Sequence, residues 1–134
     1  MCVEPVRFGQ RKEFNIKINK SAHGIINIGI CKADVNLNGN LNYDNGFCYY
    51  LYNGNTCTNF HSLTYDAHAG GGSNDTFKVQ LDLRYNGSLS FVKNGQPLGI
   101  AFSDLCKRLN GEEDVFYFAV ALYNSGDSVT IIKN

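Results

Sequence analysis

Apolar and polar residues alternate with a period of two along residues 77–102, and two Asn-Gly pairs interrupt the alternation. Such alternation is typical of strands that bury one face. Asn-Gly pairs are typical of tight hairpin turns, because both residues tolerate a positive φ. The segment therefore predicts three antiparallel strands joined by two hairpins.

The register of these hairpins follows from keeping the apolar side chains on one face. The first Asn-Gly pair fits a three-residue loop that pairs Leu83 with Leu89. The second fits a two-residue loop that pairs Phe91 with Leu98. Pro97 cannot donate to a ladder, so we expect it on an edge strand or at a non-bonded position.

Strand-like runs fill most of the remaining chain. The predicted strands cover residues 13–20, 25–31, 46–52, 57–60, 115–123 and 128–133. The run 115–123 is almost continuously apolar, as expected for a central strand covered on both faces. Residues 103–109 fit one helical turn capped by Ser103. Many short strands with almost no helix predict an all-β fold, an antiparallel two-sheet β-sandwich with at most one short helical turn.

Charge and hydropathy exclude several classes of partner. Residues 1–134 fit a single domain, and 12 Lys and Arg balance 12 Asp and Glu. No basic run exists, which argues against a nucleic-acid partner. No apolar run is long enough to span a bilayer, and the polar start of the chain, with Glu4 and Arg7, does not resemble a signal peptide. We expect no membrane partner and a cytoplasmic or nuclear location.

The cysteines predict reduced thiols rather than a disulfide framework, because five of them occur at irregular spacing. Cys48, Cys57, His61 and His68 lie close together in the sequence and invite a zinc interpretation. However, the group contains no paired C-x-x-C. The alternative, two half-buried thiols and two loop histidines, is the expectation, so no metal or other cofactor is predicted.

The usual signatures of catalysis are missing from the sequence. It has no G-x-S-x-G motif, and the glycines of residues 70–72 are not followed by the Lys-Ser/Thr of a phosphate-binding loop. The acidic run at residues 112–114 is typical of a solvated turn. We therefore predict no catalytic residues and no enzymatic activity.

Several short motifs occur in a characteristic order along the chain. They are Ile28-Gly29-Ile30, Gly46-Phe47-Cys48-Tyr49, Val79-Gln80-Leu81-Asp82-Leu83, Gly87-Ser88-Leu89-Ser90-Phe91, Leu98-Gly99-Ile100-Ala101-Phe102 and Tyr117-Phe118-Ala119-Val120. In this order and spacing the chain resembles the SPRY domain family over about residues 13–133. The region before Glu13 is short for that family, so an early strand is expected to be absent or incomplete.

The resemblance implies a jelly-roll sandwich that serves as a protein-interaction module. SPRY domains are not enzymes, and they bind a short peptide or a folded protein with loops at one end of the sandwich. They usually lie inside larger proteins, such as ubiquitin-ligase adaptors or scaffolds, so we expect this domain to be part of one. The alternative is a carbohydrate-binding lectin-like domain, because Asn, Asp and aromatic loop residues also suit sugars. A glycoside-cleaving enzyme would need two carboxylates facing one cleft, and no such pair is evident.

Successive connections of an up-and-down chain lie at opposite ends of the sandwich. We call the end that holds residues 20–24 the near end and the opposite end the far end. Counting predicted strands places residues 53–56, 85–87 and 103–114 at the near end, and residues 32–45, 61–75, 94–95 and 124–127 at the far end. The far end has the longest loops, so we expect it to bind the ligand.

Polar and aromatic residues of these far-end loops are the candidate ligand-binding residues: Asn42, Tyr43, Tyr65, His68, Tyr123 and Asn124. Tyrosine offers rigid contact area with a polar tip, and asparagine offers both a donor and an acceptor. The alternative for each residue is structural, with tyrosines that pin loops to the sandwich and asparagines that form turns.

Overall fold

The computed structural model describes residues 2–32, 46–58, 61–66, 71–111 and 113–132. Their regular structure is almost entirely β. The strands are β1 (Cys2–Arg7), β2 (Arg11–Lys20), β3 (Ile26–Lys32), β4 (Gly46–Tyr50), β5 (Thr56–Thr58), β6 (His61–Leu63), β7 (Thr76–Asp82), β8 (Ser88–Lys93), β9 (Gln96–Phe102), β10 (Val115–Leu122) and β11 (Ser128–Ile132). Within this part of the chain, no helix is long and apolar enough to cross a bilayer.

The strands form two antiparallel sheets, which confirms the predicted all-β sandwich. One sheet has six strands in the order β1-β10-β3-β4-β5-β6. The other has five strands in the order β11-β2-β7-β8-β9. The strand β10 lies between β1 and β3, as its nearly continuous apolar sequence predicts.

The core lies between the inner faces of the two sheets. In β2, β7 and β8 every second side chain is buried, because one face of each strand meets the opposite sheet and the other meets solvent. The ring of Tyr49 in the six-stranded sheet packs against Phe77 and Phe91 of the five-stranded sheet, with centroid distances of 5.2 and 5.6 Å. These contacts hold the two sheets face to face.

The first hairpin differs from its predicted register. Leu89 pairs with Leu81, so the predicted pairing of Leu89 with Leu83 is wrong. The amide of Leu83 instead donates to the carbonyl of Gln10, and its carbonyl accepts from the amide of Gly9, each at 2.8 Å. Because Leu83 bonds to the turn between β1 and β2, it does not pair with β8. The loop between β7 and β8 is therefore longer than predicted and spans residues 83–87.

The second hairpin confirms the predicted two-residue loop. Lys93 pairs with Gln96, and Asn94 and Gly95 have φ values of 51° and 83°. Both values are positive, as the favoured two-residue hairpin turn requires.

Beyond that turn the predicted register fails, because β9 contains irregularities. Phe91 pairs with Gly99 and not with Leu98, and Gly99 has a φ of 95°. One consequence is that Ile100 is 65% exposed instead of buried. Pro97 lies on β9 at the edge of its sheet, which confirms its predicted position.

The short strand β6, which the sequence pattern did not predict, reverses the direction of every later strand relative to the predicted count. The loop at residues 123–127 consequently lies at the near end, where Leu122 pairs with Ile26 and the amide of Ala22 donates to Asp127 at 3.0 Å. The predicted far-end position is wrong for this loop, for the Asn94-Gly95 turn and for residues 64–66 and 71–75, where the amide of Asp66 donates to the carbonyl of Gly54 and the amide of Asn74 to that of Ile18. By the same reversal, residues 83–87 and 103–111 lie at the far end, not the near end.

The predicted helical turn is a short 3₁₀ helix, Leu105–Arg108. Its N-cap is Asp104 and not Ser103, and no side chain caps it. Asp104 has a φ of 56°, a left-handed conformation that turns the chain sharply into the helix. Leu105 then packs into the core.

Gly29 leaves no room for a side chain where β3 pairs with β4. A Cβ atom at this position would lie 1.9 Å from the carbonyl oxygen of Phe47 and 2.8 Å from the Cα of Cys48. We expect Gly29→Ala to lower the free energy of unfolding by at least about 2 kcal/mol, because the two strands must separate to admit a methyl group. Urea denaturation measures the loss.

Gly72→Ala is the matched control, since a Cβ atom there has no neighbour within 4 Å. Equal stability losses for the two variants would contradict the tight β3–β4 contact.

Candidate functional site

Three tyrosines and one asparagine come together on the outer face of the six-stranded sheet at its near end. Asn27 of β3 pairs with Tyr50 of β4 on one side and with Ala121 of β10 on the other. Tyr52 lies two residues after the end of β4, and Tyr123 directly follows β10. We call Asn27, Tyr50, Tyr52 and Tyr123 the tyrosine surface.

The rings of the tyrosine surface lie near one another and reach solvent. The ring centroids of Tyr50 and Tyr52 are 5.9 Å apart. The amide nitrogen of Asn27 donates to the hydroxyl of Tyr123 at 3.3 Å. Tyr52 is 65% exposed and Tyr123 is 38% exposed, so both offer area to a ligand. Burial first, then the charge on Tyr52, Cys57 and Tyr123, raises the pKa of Tyr50.

Main-chain hydrogen bonds fix the turn that carries Tyr52. The amide of Tyr50 donates to the carbonyl of Asn55, and the amide of Gly54 donates to the carbonyl of Tyr50, each at 2.8 Å. On the other side, a Cβ atom at Gly24 would lie 3.1 Å from the Cα of Tyr52. The loop at residues 21–25 thus packs closely on the turn and holds it in place.

The loop at residues 123–127 borders the tyrosine surface and contains polar atoms without a partner in the described part of the chain. The amide of Asp127 donates to the carbonyl of Asn124 at 3.2 Å, which closes the turn. The side-chain nitrogen of Asn124 and one carboxylate oxygen of Asp127 are buried without a hydrogen-bond partner among the described residues. Such atoms need water or a ligand group to satisfy them.

The structure separates the sequence-predicted site residues. Tyr123 and Asn124 lie at the near end, beside Asn27. Asn42, Tyr43 and His68 lie outside the described residues. The binding roles of all these residues stay predictions.

Tyr65 lies away from the tyrosine surface and makes the contacts of a structural residue. Its ring packs against Tyr49 and Phe91, with centroid distances of 6.2 and 6.0 Å. Its hydroxyl donates to the carbonyl of Gly99 at 2.5 Å. Tyr65 therefore links the segment after β6 to the edge strand β9, and its predicted ligand-binding role is untested.

Asp66 lies at the centre of a buried polar network beside Tyr65. One of its carboxylate oxygens accepts from the hydroxyl of Tyr49 at 2.8 Å and from the ammonium of Lys93 at 3.2 Å. Burial, followed by the hydrogen bond and charge of Asp66, raises the pKa of Tyr49. The network ties the segment after β6 to both sheets, so it stabilises the near end.

The thiols that suggested a metal site lie inside the six-stranded sheet. Cys48 pairs with Cys57, and its sulfur donates to the carbonyl of Cys57 at 3.5 Å. The side-chain hydrogen bond with Cys57, followed by burial, raises the pKa of Cys48 well above its ordinary value, so the thiol stays protonated at neutral pH. Among the described residues no three metal-ligating side chains come together, and His68 lies outside them.

The sequence contained part of the signal for the tyrosine surface. The alternation in β4 places Tyr50 and Tyr52 on the face opposite Tyr49, but it does not show which strands are neighbours. Asn27 belongs to the site only because β3 lies between β4 and β10, a long-range arrangement without a local signature.

Comparison with known families and structures identifies the fold. The family model described as SPRY domain matches residues 11–134. The chain belongs to the SPRY domain family. Members of this family generally act as protein-interaction modules. No curated protein sequence matches the chain at a significant level.

Two solved structures are similar to this SPRY domain. The crystal structure of the SPRY domain of human HERC1 is 24% identical with a TM-score of 0.76, over 96% of this chain and 77% of that chain. The crystal structure of a human SPRY domain is 15% identical with a TM-score of 0.77, over 98% of this chain and 81% of that chain. At these identities the similarity concerns the fold.

The half-buried Tyr65 has a raised pKa that a titration can detect. Burial raises this pKa to about 12, against the effect of a backbone hydrogen bond. We expect an absorbance titration of the folded domain to show a tyrosine step near that pH. The step should disappear in Tyr65→Phe and persist in the control Tyr52→Phe.

The same shift predicts how stability changes with pH. A tyrosine in the unfolded chain ionises near pH 10. Because the folded pKa of Tyr65 is higher, its contribution to stability is complete below about pH 10 and is lost as the pH rises toward the folded value. A Tyr65→Phe variant whose titration matches the wild type would contradict the half-buried position of Tyr65.

Proposed function

We propose that this SPRY domain binds a peptide or a protein partner through its near-end loops, with the tyrosine surface at the centre of the contact. The observation that carries the proposal is the cluster of Tyr50, Tyr52 and Tyr123 around Asn27 at the ends of β4, β10 and β3. The family to which the chain belongs supports a protein partner.

The chemistry of the tyrosine surface suits protein recognition. Tyrosine is enriched among residues that dominate binding energy, because its large ring buries much area at a small cost in side-chain entropy. The tyrosine hydroxyls offer donors and acceptors to a peptide backbone, and the buried Asn27 holds the hydroxyl of Tyr123 in place. Binding costs less conformational entropy when the contact residues are already held in place. The hydrogen-bonded turn holds Tyr52 in place before a partner binds.

The same residues argue against catalysis at this surface. Its side chains are phenols and an amide, and burial with neighbouring groups raises the pKa of Tyr50, so that its phenol stays protonated at neutral pH and cannot accept a proton. The nearest thiol, Cys57, is 5% exposed. We therefore propose a binding module without enzymatic activity. We also propose a cytoplasmic or nuclear location, where five irregularly spaced cysteines stay reduced.

Replacement of Tyr52 and Tyr123 by alanine tests the proposal. We expect the double variant to capture its partner from cell lysate at least about tenfold less efficiently, because two exposed rings near the centre of an interface are lost. The melting temperature should change little, since both side chains are partly exposed. Quantitative mass spectrometry of the captured proteins gives the readout.

Tyr85→Ala is the matched control, because Tyr85 is 78% exposed but lies in the far-end loop. Equal loss of the partner in the control and the double variant, or unchanged capture by the double variant, would contradict the near-end assignment. A glycan array decides the lectin alternative. Sugar binding that depends on Tyr52 and Tyr123, without any captured protein, would replace the protein partner by a carbohydrate.

A further inference from the structure

The outer face of the five-stranded sheet carries more positive than negative side chains. Alternation in β2 and β7 directs these residues away from the core, since their sequence neighbours on both strands are buried. The cations are Arg11, Lys17, Lys78 and Arg84, and the carboxylates are Glu13 and Asp82. The chain as a whole is neutral, so this face is a local excess of positive charge.

The two carboxylates of this face are already paired. Arg84 forms a fork on Asp82, with nitrogen–oxygen distances of 3.0 and 2.9 Å. Glu13 accepts from Arg11 at 3.0 Å and lies 3.7 Å from the ammonium of Lys78. Lys17 has no carboxylate within ion-pair distance among the described residues. Positive charge on this face therefore remains uncompensated.

A groove of about 240 Å³ opens on the same face, close to Lys78. Val92 and Ile132 form its apolar walls, and Asn15 and Thr76 lie beside them. Ile132 is 42% exposed. The groove therefore has room for one aliphatic side chain, with an ammonium group at its rim.

We propose that this face is a second docking surface, and that its occupant is an acidic segment of a partner protein that inserts an aliphatic side chain into the groove. Charge complementarity argues for the acidic segment, because carboxylates of a partner would pair with Lys17 and share Lys78. The groove favours a peptide, because a peptide can insert an aliphatic side chain into it. The interleaved carboxylates of Glu13 and Asp82 would repel the closely spaced phosphates of a nucleic acid.

This inference is independent of the tyrosine surface, which lies on the outer face of the other sheet. To test it, peptides that bind the full chain are selected from a random display library. The affinities of the selected peptides, made synthetically, are then measured. We expect acidic peptides with one aliphatic residue. Their affinity should fall about tenfold in Lys17→Gln/Lys78→Gln, because two pairing charges are lost at a shared contact. Raising the salt concentration should weaken binding in the same direction.

Lys20→Gln/Lys107→Gln is the matched control, since these exposed lysines lie at the near end and in the 3₁₀ helix. The control and the Tyr52→Ala/Tyr123→Ala variant should both keep the wild-type affinity for the acidic peptides. Melting temperatures confirm that all variants are folded.

Three results would overturn the proposal. The first is a selection without acidic peptides. The second is acidic peptides that bind Lys17→Gln/Lys78→Gln as tightly as the wild type or that depend on Tyr52 and Tyr123. The third is that a short single-stranded RNA or phosphatidylserine vesicles bind in a way that requires the two lysines, while no acidic peptide binds.

Discussion

The pairing of β10 with β3 is the interaction on which the rest of this structure depends. It runs without a break from Phe116 opposite Lys32 to Leu122 opposite Ile26. Because β10 also pairs with β1, it joins the edge strand β1 to the rest of the six-stranded sheet, and its alternate side chains supply the core. The same pairing sets the end of β10 beside Asn27, which is why Tyr123 reaches the other tyrosines.

Core and surface use opposite faces of the same strands. In β4, Tyr49 points inward and contacts rings of the other sheet, whereas Tyr50 points outward and contacts Tyr52. The outward side chains of such a strand are held rigidly, because the backbone that positions them cannot shift without disturbing buried contacts. Loop residues beyond the strand ends are less constrained, so they are free to adjust specificity.

Local patterns predicted the parts of the fold that depend on local geometry. The alternation in β2 and β7 placed Phe14, Ile16 and Val79 in the core, because side-chain direction in a strand repeats every two residues. A register slip of two residues preserves those faces. Alternation therefore could not decide between Leu81 and Leu83 as the partner of Leu89. The hydrogen bonds from the distant β1–β2 turn made that choice.

Short sequence patterns could not assign each loop to one end of the sandwich. The strand β6 has three residues, which are too few to show periodicity. Because β6 was not predicted, every later loop was assigned to the wrong end of the sandwich. Tyr123 was predicted as a ligand-binding residue from its chemistry and from a loop position assigned to the far end, and its binding role stays a prediction. Its neighbours Asn27, Tyr50 and Tyr52 follow only from the order of strands in the sheet.

Hydrogen exchange of the domain, alone and saturated with its captured partner, tests whether the tyrosine surface is the binding site. Binding there should slow exchange in the turn at residues 51–55 and in the loop at residues 123–127, which flank the tyrosine surface. Protection confined to the far-end loops, at residues 8–10 and 83–87, with unchanged exchange around Tyr52 and Tyr123, would contradict it.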